Sequence, residues 1–134
     1  MIKIVLLAAA IFLADLAYTQ NTPMMNTNRI NEGAIVRISI GYFQPDQTEK
    51  VERMLNTEFK NSLVPAIQKL KGNLGYYVGI DKEKHTMTNV SFWQTKDDAL
   101  QMATLKEMLD MRTTFEALGL KFIEITNHEV LWKL

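Results

Sequence analysis

Residues 74–95 read LGYYVGIDKEKHTMTNVSFWQT, and this stretch decides the fold. Leu74, Tyr76, Val78 and Ile80 alternate with Gly75, Tyr77 and Gly79. That period of two belongs to a strand, whose successive side chains point to opposite faces. Asp81-Lys82-Glu83-Lys84 is a polar turn, and His85 beside it is read as exposed. Thr86 to Gln94 is β-branched and aromatic, which suits a pleated surface, so the whole stretch is predicted to be a β-hairpin. On its second strand Met87, Asn89, Ser91 and Trp93 share one face, and Thr88, Val90 and Phe92 share the other.

Upstream, Asn31-Glu32-Gly33 signals a turn. Ala34, Val36, Ile38, Ile40 and Tyr42 then alternate with Arg37, Ser39 and Gly41, which predicts a strand with one buried face. Pro45 ends it. Asp46 with Glu49 has the spacing of a capping box, and Val51, Met54, Leu55, Phe59 and Leu63 follow at helical spacing. Pro65 is expected to break or kink this helix, leaving a short piece, Ala66 to Lys71, that ends at Gly72. Downstream, Thr95 with Asp98 is a second capping signature. Apolar residues from Ala99 to Leu118 continue at helical spacing up to Gly119, as one helix or two. Lys121 to Leu134 is the last strand, with a bulge expected near Asn127 because the alternation slips there.

The order β-α-β-β-α-β predicts an α+β, ferredoxin-like domain: an antiparallel sheet with helices on one face. The second face then needs cover. Ile35, Phe43 and Tyr77 are expected to point that way, and an uncovered apolar face of this size predicts a homodimer.

Composition bounds the function classes. The chain has 134 residues, 47% hydrophobic and 22% charged, enough for one domain with a real core. Fifteen basic residues balance fifteen acidic ones with no basic run, so nucleic acid is not an expected partner. Cysteine is absent, and His85 and His128 have no ligand spacing, so no metal or other cofactor is expected. Residues 1–19 carry Lys3, an apolar run from Ile4 to Ala14, and Ala17-Tyr18-Thr19 before Gln20. This is the pattern of a cleaved export signal, too short to cross a bilayer, and predicts a periplasmic or secreted protein without stable membrane insertion. Residues 20–33 are read as a loose arm, and 34–134 as the domain.

From Arg37 to Trp132 the chain resembles the antibiotic-biosynthesis-monooxygenase-like family of dimeric α+β barrels. The resemblance rests on Leu63-Val64-Pro65-Ala66-Ile67, on Gly72 with Gly75 to Asp81, and above all on Asn89-Val90-Ser91-Phe92-Trp93-Gln94-Thr95 opening a Thr-Lys-Asp-Asp-Ala-Leu helix. It implies oxygen insertion into an aromatic or quinol-like molecule without metal or flavin. It also implies a site built from Asn89, Trp93 and Arg112, the Arg on the following helix. Tyr76, Tyr77 and His128 are candidates to bind substrate. On a strand, Asn89 and Trp93 face the same way, about 13 Å apart. The alternative is a non-catalytic exported module that binds a small hydrophobic ligand. Haem chemistry, known among relatives of the fold, needs a His on the helix after the Trp strand, and residues 96–118 contain none.

Overall fold

The computed structural model describes residues 30–134. The expected export signal and most of the arm lie outside the described residues. Five strands form one antiparallel sheet: β1 (Ile35–Tyr42), β2 (Asn73–Asp81), β3 (Thr86–Trp93), β4 (Lys121–Phe122) and β5 (Thr126–Glu129). The order is β2-β3-β1, with β4 and β5 both on the far side of β1. This is the ferredoxin-like topology, with the last strand in two pieces. Helices α1 (Thr48–Met54), α2 (Lys60–Gln68), α3 (Lys96–Leu100) and α4 (Lys106–Ala117) supply the other layer. None of the described helices is long and apolar enough to cross a membrane.

A π-helical turn, Leu55–Phe59, joins α1 to α2. The sequence explains it. Val51, Leu55, Phe59, Leu63 and Ile67 recur every fourth residue, and all five are buried. An unbroken α-helix would rotate such a row by about 40° per step. One wider turn takes up the drift and keeps the row on the core. The expected break at Pro65 is not there, because α2 runs through it. Pro65 and Asn61, whose carbonyl lacks the proline's N–H, are both exposed, so water can satisfy that carbonyl. The capping box also sits earlier than expected. Gln47 Oε1 accepts from Gln44 N at 3.1 Å, and Asp46 lies in the first turn rather than at the cap.

Gly72 turns the chain into β2 with φ 73°, and a side chain there would collide with the buried Asp98. The expected cap of α3 forms, with Asp98 N donating to Thr95 Oγ1 at 3.1 Å. The second helical segment is two helices. After α3 a 3₁₀ turn, Gln101–Ala103, and an extended Leu105 displace the chain before α4 begins. His85 is half-buried rather than exposed, with φ 53° and its ring edge-on to Phe43 at 6.1 Å.

The bulge in the last strand exists but lies between Phe122 and Thr126, not at Asn127. Partners Gly41 and Phe122 sum to 163, while Ile38 and Thr126 sum to 164, so one extra residue has entered. The strand ends at Glu129. The largest difference is in β1. Ile35 pairs with Trp93 and packs on the core, and Phe43 is buried in it. The helix side of β1 is therefore Ile35, Arg37, Ser39 and Gly41. The apolar set Val36, Ile38 and Ile40 lies on the open face with Val90, Phe92 and Tyr77. Tyr77 alone of the three residues expected there is in place, edge-on to Phe92 at 5.8 Å.

Candidate active site

Strand register builds the floor of the site. Asn127 opposes Arg37, Arg37 opposes Ser91, and Ser91 opposes Tyr76. One polar residue from each of four strands thus forms a row about 14 Å long, at the usual ~4.8 Å between strands. A second row beside it holds Ser39 and Asn89. Apolar rows close both ends: Ile35 with Trp93 on one side, Gly41 with Met87 on the other. Gly41 is needed there, because a Cβ would lie 2.7 Å from the Phe122 ring.

Above the two polar rows lies a cavity of ≈ 240 Å³. The helix break makes it. Met102 and Ala103 come from the 3₁₀ turn, Met108, Arg112 and Phe115 from α4, and Phe59 from the π turn. Because α3 and α4 are not one straight rod, the helices do not settle onto the middle of the sheet. The roof is thus phenyl and thioether, and the floor is hydroxyl, amide and guanidinium.

The floor is not internally satisfied. Asn89 is buried, and its Oδ1 has no hydrogen-bond partner among the described residues. The Tyr76 hydroxyl is buried and equally unpartnered. Burial also pushes its pKa well above the ordinary tyrosine value, so Tyr76 is a neutral hydroxyl and not a base. An unpartnered buried polar group costs about 1–3 kcal/mol, so two on one cavity floor call for a hydrogen-bonding occupant, water or ligand.

Arg37 is half-buried, and this partial desolvation lowers its pKa; among the described residues its side chain donates, from Nη1, only to the neutral Asn127 Oδ1, at 3.3 Å. Among the described residues no carboxylate pairs with it. Arg112 is differently placed. Its Nε donates to Glu116 Oε1 at 2.8 Å, and its guanidinium lies 5.1 Å from the centre of the Phe122 ring.

Of the residues singled out from sequence, Asn89, Tyr76 and Arg112 meet at the cavity. Trp93 does not line it. Its indole is wholly buried in the core and donates from Nε1 to Ser91 Oγ at 2.8 Å. Ser91 lies in the polar row between Trp93 and Asn89. With its oxygen accepting from the indole, it keeps its own proton free to donate. Tyr77 is on the open face, and so is His128, which opposes Val36 and contacts Thr126 Oγ1 at 2.9 Å. Neither lines the cavity. Sequence reasoning missed Arg37, Ser39 and Ser91. The available signal was parity: Ser91 shares its side of β3 with Asn89 and Trp93, and Arg37 and Ser39 share one side of β1.

No protein-family model matches the sequence, and no curated protein is significantly similar to it. Solved structures are similar in fold. A candidate antibiotic biosynthesis monooxygenase from Deinococcus radiodurans superposes with TM-score 0.57 at 14% identity, covering 75% of this chain and 95% of that one. SnoaB, a cofactor-independent oxygenase from Streptomyces nogalater, gives 0.54 at 13%, covering 76% and 97%. Rv0793 from Mycobacterium tuberculosis gives 0.58 at 13%, covering 75% and 97%. The chain has the fold of the antibiotic biosynthesis monooxygenase-like proteins.

Proposed function

From that shared fold we propose that the domain is a cofactor-independent oxygenase of a small phenolic or quinol-like aromatic. The observation that carries this is the pair of unpartnered atoms, Asn89 Oδ1 and the Tyr76 hydroxyl, on the floor of an apolar cavity. A flat oxygen-bearing ring satisfies both the floor and the roof. The volume favours one or two rings. It lies above the roughly 150 Å³ that holds a benzene and below the roughly 300–1,000 Å³ of drug-sized sites.

The chemistry needs no electron source beyond the substrate. A phenol plus O₂ gives a quinone plus water. The phenolate transfers electrons to O₂, and a carbon–oxygen bond forms para to the hydroxyl. The O–O bond then breaks as the ring C–H proton leaves. One oxygen atom stays on the ring. The other departs as water with the phenolic and ring protons, and the substrate loses the four electrons that O₂ gains. Among the described residues neither Asp, Glu nor His lines the cavity, so removal of the phenol proton rests on stabilising the anion. Arg37 and Arg112 provide positive charge for that, and Ser91 and Tyr76 provide donors.

Oxygen uptake on a panel of 1-naphthols and other phenols unsubstituted para to the hydroxyl, with one quinone formed per O₂, tests the proposal. Asn89→Ala is expected to lose about 100-fold of the rate, the usual cost of removing a preorganised hydrogen-bonding group. If no member of the panel consumes oxygen, yet one binds unchanged, the domain is the non-catalytic carrier.

Two further expectations belong with this proposal. The open face of Val36, Ile38, Ile40, Val90 and Phe92 supports a homodimer. Residues 1–19 support export, and the N-terminus of the protein recovered outside the cytoplasm would begin at Gln20.

A further inference from the structure

We infer that the ligand carries a fixed carboxylate, held by Arg37, in addition to the hydroxyl that Asn89 receives. The inference rests on the ligand cavity described above but not on its being catalytic. Arg37 stands on β1 near the middle of the sheet, on the cavity floor, with a neutral amide as its only hydrogen-bond partner there. Other arginines of small domains end in water or on a carboxylate, as Arg112 does on Glu116. A half-buried guanidinium with no counter-ion among the described residues keeps donors to spare, and its planar fork matches a carboxylate. Among the described residues no acidic side chain lines the cavity to supply one.

Register fixes where the two ligand groups must lie. Arg37 opposes Ser91 and Asn89 opposes Ser39, so Arg37 and Asn89 are diagonal neighbours, about 7–8 Å apart at the backbone. A phenolic hydroxyl donates to Asn89 Oδ1, unpartnered among the described residues, while a carboxylate elsewhere on the same ring system accepts from Arg37. Arg37 has the stronger claim to the carboxylate, because Glu116 already occupies Arg112. A hydroxy-substituted aromatic acid of one or two rings meets all these demands, and a neutral quinol leaves Arg37 unanswered.

The test is calorimetric binding to the full domain under argon, so that turnover plays no part. The probes are 4-hydroxy-1-naphthoate and its neutral, similarly shaped 4-hydroxy-1-naphthamide. The wild-type protein is expected to bind the acid about 10- to 100-fold more tightly, the range for hydrogen bonds to a charged partner. Arg37→Gln is expected to remove that preference while leaving amide binding within about twofold, and Arg112→Gln to keep most of it. Equal binding of acid and amide by the wild-type protein overturns the inference, and that comparison needs no variant to fold. A preference that survives in Arg37→Gln overturns it as well. Because its carboxylate occupies the carbon para to the hydroxyl, this acid cannot turn over by the chemistry above, so its binding tests Arg37 alone and oxygen uptake on the phenol panel tests the oxygenase.

Discussion

The sheet face beneath the helices carries Arg37, Ser39, Asn89, Ser91 and Tyr76, whereas the face turned away carries Val36, Ile38, Ile40, Val90 and Phe92. In an ordinary two-layer domain the distribution is reversed, with apolar residues under the helices and polar ones in water. Here the covered face has given up part of its packing to hold a polar-floored hollow. The core survives as one cluster that takes in Trp93 on one side of the hollow and Met87 with Phe43 on the other. The open face holds apolar surface that a second copy is suited to cover. On the proposed function, one sheet separates a ligand surface from an assembly surface, and each can be broken without the other.

The strongest contrast lies within β3. Trp93 is wholly buried and its indole N–H is satisfied, so Trp93→Ala is expected to cost about 3–5 kcal/mol in urea unfolding, as other large core truncations do. A loss under 1 kcal/mol would mean that the flanking core is not what holds the hollow open. On the other face, Ile38→Asp places a charge in the middle of the apolar set. It is expected to weaken self-association by about 30-fold or more, read as a dimer-to-monomer shift in light scattering, while ligand binding by the monomer persists. If the wild-type protein is already monomeric at micromolar concentration, the open face needs a different explanation.

Four residues before Trp93 the sign of the effect changes. Asn89→Leu removes a buried carbonyl that has no partner, so the ligand-free protein is expected to keep its stability or gain up to about 1 kcal/mol, while ligand binding collapses. A loss of several kcal/mol would show that Asn89 is structural. The smallest effect is at Tyr76. Its folded pKa is raised by burial, so the protonated hydroxyl contributes stability that is complete below the unfolded value near 10 and is lost as the pH rises above it. Stability is expected to be flat from pH 7 to 9 and to fall by up to about 1.4 kcal/mol per unit above pH 10. Tyr76→Phe removes that component of the fall.

The order of elements was legible because each local signal agreed with the next: alternation in the hairpin, Thr95 with Asp98 at a helix start, Gly72 and Gly119 at helix ends. What could not be read was which face of β1 looks inward. Alternation locates an apolar side but not its destination, and Ile38 was assigned to the core although it belongs to the open face. That one parity hid Arg37 and Ser39. On β3 the grouping of Asn89, Ser91 and Trp93 was correct, because Trp93 fixed it. The division of labour among the three was not legible, since only coordinates show that Ser91, not Trp93, meets the cavity. That the helix runs on through Pro65 and widens into a π turn was not legible for a related reason. The four-residue repeat from Val51 to Ile67 was visible, but it reads as an ordinary amphipathic helix until its drift is counted.

The most direct measurement is the side-chain amide resonance of Asn89 in a ¹⁵N-labelled domain, followed under argon during titration with 4-hydroxy-1-naphthoate. A ligand on the polar floor is predicted to shift that amide in step with calorimetric saturation, with the Arg37 guanidinium resonance moving alongside it. Saturable binding that leaves the Asn89 amide unmoved and instead shifts backbone resonances of Ile38, Val90 and Phe92 would place the ligand on the wrong face of the sheet.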